Sequence, residues 1–333
     1  MKCQWFLLLL ALSLSLIHLT SVFAHAPLMP GDNEDLPGAT PIQDPAKSWA
    51  IYDSLHEGKE AHYCRFSIVE RNRIYISLFI SPASRDRGFN PTLALMGPGL
   101  GNRSSVPEYV QKPKEGGVLV AEGGPAAQAT YEGFSPSAFY PVTTLDLNAP
   151  TTGTYYIAVY EPNQGGQYGL AVGYIESFTL SEWILIPLNL MSIYRWEGQS
   201  LLVILAPMIA TVAIGLVFCI WKNRKTQMKM TNWMGILSGL IFVSTGVTVL
   251  SQMGFALTRS PLDPQIIVTM TFAAIPIILG ITTILKAKKL REEIRVRPRL
   301  YFMMLGLLAL FTWSGLLVGP ALAMATSLLP TRK

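Results

Sequence analysis

Two hydrophobic periods divide this chain. In 61–69, His62, Cys64, Phe66 and Ile68 share one face while Tyr63, Arg65 and Ser67 take the other, and Ile74, Ile76, Leu78 and Ile80 alternate through 73–81. A period of two predicts half-buried strands, here near 49–55, 61–69, 73–81, 92–97, 117–121, 139–147, 153–160 and 167–175, separated by Gly, Pro and Asn turns. The stretch 82–138 is looser and predicts loops with one or two strands. Short strands without intervening helices predict an all-β antiparallel sandwich, jelly-roll-like, over 49–178. About 130 residues enclose an adequate core without disulfides.

Beyond residue 199 the pattern changes to unbroken apolar runs at 200–221, 233–256, 265–285 and 300–322, the last reaching as far as Leu329 on its longest reading. Crossing ~30 Å of hydrocarbon takes about 20 helical residues, so four membrane helices are expected over 200–329. Residues 25–48, rich in Pro, Gly and acids, predict an extended lead-in. An interfacial linker is expected at 179–199, where the apolar run 183–193 is too short to span and contains Pro187. A fifth, buried helix is the alternative there.

Composition agrees with a membrane protein: half the residues are hydrophobic and 14% are charged, against about a quarter in soluble domains. Residues 1–24 pair one Lys with an apolar run ending Val22-Phe23-Ala24, the form of a secretory signal cleaved after Ala24; an uncleaved anchor is the alternative. Residues 25–182 carry a net charge of −7 and 183–333 a net +11, so the basic balance belongs to the apolar half and not to a nucleic-acid surface. Lys222, Arg224, Lys225 and Lys229 follow the first run, and seven bases from Lys286 to Arg299 follow the third. The positive-inside rule then places both loops in the cytoplasm, with the N-terminal domain and the C-terminus of a multi-pass cell-membrane protein extracytoplasmic. Anionic lipid headgroups suffice as partners of these loops.

The segment GTYYIAVYEPNQGGQYGLAVG (153–173) resembles the closing hairpin of bacterial pre-peptidase C-terminal (PPC-type) domains. AHYCRFSIVERNRIYISLF (61–79), PTLALMGPG (91–99) and DNEDLPGATPI (32–42) are similar to that family's earlier hairpin, following strand and lead-in. The resemblance covers about 130 residues and departs at the insertion 100–138 and in the spans that follow. It implies a β-sandwich accessory module without catalytic residues to carry over. The Golgi-dynamics type lumenal sandwiches of the p24 family offer a further comparison, but they have a single span and a coiled coil.

The chemistry-bearing residues are few. None of the four histidines, His18, His25, His56 and His62, falls in a predicted span, nor does any charged residue. That argues against intramembrane haem, ion-coupled carriers and voltage sensors. Ser244, Thr245, Thr248, Ser251 and Gln252 form a polar stripe, read as helix–helix hydrogen bonding with a solute path as the alternative. Gly235/Gly239 and Gly315/Gly319 are small-xxx-small pairs for internal packing or for a partner's helix. Cleavage after Ala24 would make His25 the first residue, able to chelate copper through its amine and ring; His56 or His62 would complete a histidine brace, with Cys64 and Met29 as softer extras. The opposing expectation is no cofactor, with solvated histidines and Cys64 as a buried hydrophobe. Asp32, Glu34 and Asp35 lack an EF-type frame and read as a solvated loop. Asn102 opens a glycosylation sequon. No hydrolase, zincin, Walker or Rossmann motif occurs, which argues against an enzyme. The expected function is a membrane-anchored extracytoplasmic module presented to a protein or cell-surface partner. A copper-binding protein or enzyme subunit using His25 with His56 and His62, and a small-solute permease or channel, are the rivals.

Overall fold

The computed structural model describes residues 25–101, 104–121, 123–225, 227–290 and 296–329. The expected signal at 1–24 and the sequon at Asn102 lie outside them.

Among the described residues eleven strands form two sheets: β1 (Ala26–Pro27), β2 (Thr40–Pro41), β3 (Trp49–Leu55), β4 (Glu60–Ile68), β5 (Arg73–Ile80), β6 (Thr92–Gly97), β7 (Gly117–Ala121), β8 (Thr130–Glu132), β9 (Ser137–Asn148), β10 (Gly153–Glu161) and β11 (Gly166–Val172). One sheet runs β1-β3-β11-β5-β9-β8 and the other β2-β4-β10-β6-β7. Alternate residues of facing strands meet between them: Ile51, Phe66, Ile76, Leu78, Leu95, Ile157 and Leu170 are all buried. Enclosing each such side chain contributes roughly 1.5–3 kcal/mol. The sheets are mixed, which corrects the antiparallel expectation. Two short segments of the lead-in run parallel to β3 and β4, with Ala26 beside Trp49 and Thr40 beside Cys64. The lead-in therefore belongs to the sandwich. A single-turn helix, α1 (Pro82–Asp86), capped by the Ser81 hydroxyl, interrupts the loose region.

The chain enters the helical part through α2 (Leu180–Trp196), which starts at a reciprocal cap between Thr179 and Glu182 and contains Pro187. It lies at the junction, sending Trp196 Nε1 to the Tyr168 carbonyl (2.9 Å). Among the described residues three helices are long and apolar enough to cross a membrane: α3 (Leu201–Lys222), α4 (Met230–Leu257) and α5 (Ile266–Ala287). α4 and α5 pack closely because glycines let the backbones approach; a Cβ on Gly239 would lie 2.7 Å from the Gly280 carbonyl oxygen. Gly315 and Gly319 seat the ring of Phe242 in the same way, so both small-residue pairs serve internal packing.

The fourth expected span is not one helix. It divides into α6 (Val296–Phe311) and α7 (Val318–Leu328) around a break in which Trp313, Gly315 and Leu316 all have positive φ. Gly306 of α6 abuts Pro320 and Met324 of α7, and an Arg299 Nη donates to the Leu329 carbonyl at 3.5 Å. The pair folds back on itself. Periodicity could not reveal this, since the turn residues Trp313–Leu317 are nearly as apolar as the helices they separate. The polar stripe of α4 is satisfied locally: Ser244, Thr245, Thr248 and Ser251 each bond a carbonyl three or four residues back, and Gln252 Oε1 accepts from Gln199 (2.8 Å).

Candidate metal centre

The β3–β4 connection crosses from one sheet to the other at the end of the sandwich, and this crossing builds a polar cluster. β3 ends at Leu55 and β4 begins at Glu60, with Lys59 at φ 66. The turn brings His56 back over β4, where its Nδ1 donates to Glu60 Oε1 at 3.1 Å. The amides of His56 and Glu57 both donate to Glu60 Oε2. His62, two residues further along β4, points between the sheets. Its Nε2 meets Glu60 Oε1 at 2.9 Å and its Nδ1 meets Asp53 Oδ2 at 2.8 Å.

Asp53 belongs to the other sheet, beside Tyr168 in register, and the Tyr168 hydroxyl and the Asn33 amide also donate to its Oδ2. Asn33 is anchored in turn, since its carbonyl accepts the Tyr63 amide. That pin brings Glu34 to the cluster. One ligand atom from each of Glu34, His56, Glu60 and His62 lies within 4.8 Å of the others. His62 is buried at the floor, Glu60 is half-buried, and His56 and Glu34 are exposed at the mouth.

The electrostatics follow from this geometry. Burial acts to lower His62, but the bonds and charges of Asp53 and Glu60 outweigh it and hold the imidazolium above its ordinary value. Burial acts to raise Asp53, and the His62 bond and charge overcome it, together with Asn33 and the Ser54 amide, leaving the carboxyl below its usual range. Glu60 is lowered in the same way by His56, its two amide donors and His62. Without a cation the centre is a carboxylate–imidazolium–carboxylate chain linking the two sheets.

With a cation, the donor set suits a divalent transition metal. His62 Nε2, His56 Nδ1 and the carboxylates of Glu60 and Glu34 are four nitrogen and oxygen ligands, and a tetrahedral zinc site places such atoms about 3.3 Å apart. Glu60 Oε1 is already at about that distance from both imidazoles. Asp53 would keep the proton on Nδ1 and orient the ring, as carboxylates behind metal-bound histidines do.

The structure unites only two of the histidines expected to bind copper. β1 lies against the start of β3, so His25 sits beside Ser48, its Nδ1 2.5 Å from the hydroxyl. His56 is eight residues along the same strand direction, roughly 26 Å away at ~3.3 Å per residue. His25 therefore does not share a site with His56 and His62, and burial lowers its ring to about 4. The soft extras are absent from the cluster as well. Cys64 is a buried core residue with its thiol pushed up to about 12 by burial, and Met29 is exposed elsewhere. Glu60 and Asp53 escaped sequence reasoning, and Glu34, read there as part of a solvated loop, stands at the mouth of the cluster. The one available signal was the spacing His56-x3-Glu60-x-His62 across a turn; nothing local links Glu34 or Asp53 to it.

Comparison with models of known protein families finds none that matches, and no curated protein matches the chain.

Proposed function

We propose that the protein is a membrane-anchored extracytoplasmic binding protein whose sandwich captures one divalent transition-metal ion, zinc(II) fitting best, at Glu34, His56, Glu60 and His62. The observation that carries this reading is His62 itself: a buried imidazole with a carboxylate behind one nitrogen and three further ligands gathered around the other. Two imidazoles and two carboxylates without a thiol favour this class of ion over copper(I). The accessory role before a protein or cell-surface partner is the wider frame.

The arrangement in the membrane supports the same frame. The acidic sandwich stands outside and the basic ends of the helices stand in the cytoplasm, as the cation distribution favours. Because α6 and α7 fold back, Leu329 returns to the side of Arg299, and we place that end of the chain in the cytoplasm, replacing the extracytoplasmic C-terminus expected from four crossings.

Zinc titration of the full-length protein in detergent, followed by calorimetry and by metal analysis after dialysis, tests the reading. One equivalent is expected for the wild type and for His25→Ala, and none retained by His62→Ala or Glu60→Gln. Equal retention by the wild type and the last two variants would refute the site.

A further inference from the structure

The sandwich carries a second cleft, at the end opposite the metal centre. β4 begins at Glu60 and reaches Ser67 seven residues later, roughly 23 Å away at ~3.3 Å per residue. There the connections 69–72 and 149–152 and the lead-in around Asp44 surround an open cleft of about 450 Å³ between the ends of the two sheets. That volume falls within the range of ligand sites, about 300–1,000 Å³.

Its polar groups come from separate segments, and each is fixed from behind. Asp44 Oδ1 accepts the amides of Ala46 (3.0 Å) and Lys47 (3.3 Å), and the Asp44 carbonyl accepts Trp49 Nε1 (2.9 Å). Among the described residues the Asp44 Oδ2 atom has no hydrogen-bond donor. The backbone of Asn72 is tied on both sides, its amide donating to Val69 and its carbonyl accepting from Ala149, while its exposed side-chain amide makes no bond among the described residues. Ser67 and Thr154 face each other in register across β4 and β10, with their hydroxyls 3.2 Å apart. Arg73 contributes shape more than charge. Its Nε and Nη2 donate to Asp146 at 2.8 and 2.7 Å, and its guanidinium lies 5.0 Å from the Tyr174 ring centroid. Tyr174 is thereby braced as an aromatic wall, 42% exposed.

We propose that this cleft binds a short uncharged oligosaccharide. A sugar ring presents neighbouring hydroxyls at about the spacing of the Ser67–Thr154 pair, and each hydroxyl both donates and accepts. Asp44 Oδ2 accepts from one, the Asn72 amide offers a donor and an acceptor to others, and the C–H face of the ring packs on Tyr174. Charge argues against an anionic ligand: Arg73 is the one basic lining residue, its guanidinium is paired with Asp146, and the Asp44 carboxylate repels a phosphate or sulfate. Paired hydroxyls, an amide and a carboxylate around one ring also differ from the apolar socket that anchors a peptide side chain. This inference gives the cell-surface partner proposed above a chemistry; it rests on the extracytoplasmic placement of the sandwich and not on the metal.

The test titrates maltotriose, cellotriose and N-acetylchitotriose, separately, into the full-length protein in lauryldimethylamine oxide, a detergent without a sugar head, and reads binding by saturation-transfer NMR. At least one trisaccharide should bind with a Kd of about 1 mM or tighter. Asn72→Ala and Thr154→Val, both exposed and away from the core, should each weaken it about 5–10-fold, the share of one or two hydrogen bonds, with unchanged melting temperature. His62→Ala, which removes the metal centre, should bind the sugar as the wild type does, so failure of the metal reading and failure of this one are told apart. Absence of binding by all three sugars at about 10 mM, or equal binding by the wild type and the two cleft variants, would overturn the proposal.

Discussion

His62 shows how much one side chain depends on partners distant in sequence. By pattern it occupies a core-facing position of β4, where an unpaired imidazole would be costly. Asp53 from the opposite sheet and Glu60 from its own strand make it tolerable, each engaging one ring nitrogen, and a metal would take Nε2 in place of its Glu60 hydrogen bond. Replacing Asp53 with Asn removes the group that orients the ring, so zinc affinity should fall about 10–100-fold, with the 1:1 stoichiometry kept at saturation; a calorimetric titration beside the wild type reads this directly. A second residue acts through pH. Glu197, at the end of α2, is buried, accepts the Ala138 amide at 2.7 Å, and is bonded by the Gln199 amide at 3.1 Å. Burial raises its carboxyl to about 7. Between about pH 4.3 and 7 the unfolded chain ionises this group while the folded chain keeps its proton. Its contribution to stability is therefore complete below that window, is lost as pH rises through it, and changes no further above 7. Glu197→Gln should flatten the fall in melting temperature between pH 5 and 7; an unchanged slope would show that other groups govern it.

At the scale of elements, strands and the first three apolar helices were legible and the final apolar run was not. The ranges 49–55, 92–97 and 117–121 expected from alternation match β3, β6 and β7, because each side of those strands meets a different environment. β1, β2 and β8 escaped notice, being two or three residues long and too short for a period to show. The run at 300–322 misled for a different reason: hydropathy measures affinity for lipid and is blind to backbone direction. Trp313 reverses the chain at φ 54, held by its Nε1 bond to the Trp183 carbonyl (2.7 Å) and by the rings of Phe134, Phe272 and Trp183. The α4–α5 crossing offers a direct check. Gly239→Ala places a methyl group against the Gly280 carbonyl and should cost about 1–3 kcal/mol, seen as a lower melting temperature in detergent. Gly254→Ala on the same helix, where a Cβ meets nothing within 4 Å, should leave stability unchanged or slightly raised.

Across the whole molecule the two halves are joined through polar contacts and ring packing. The Tyr131 hydroxyl meets Thr269 Oγ1 at 2.6 Å, Thr269 donates to the Gly133 carbonyl, and Gln265 Oε1 accepts the Gly133 amide. Lys47 pairs with Glu182 and Arg259 with Asp86 across the same boundary. The sandwich is thus fixed to one end of the helices. Topology can be read with single cysteines at Lys289 and Leu329, in a background lacking the other thiols, and a third at Lys112 on the sandwich. Impermeant maleimide added to intact cells should label only Lys112→Cys, with the other two reacting after permeabilisation. External labelling at Leu329→Cys with internal labelling at Lys289→Cys would restore a fourth crossing.

The amino-acid order alone determined the division into a sheet module and an apolar helical domain, most strand positions, and the loops in which the cations gather. Each of these rests on local periodicity or on the cost of burying charge, which a sequence carries residue by residue. Only the tertiary structure decided that Glu34, His56, Glu60 and His62 meet while His25 stands apart, that the lead-in joins both sheets in parallel, and that the final apolar run doubles back. Those outcomes depend on which distant segments become neighbours, and short-range pattern holds no record of long-range contact.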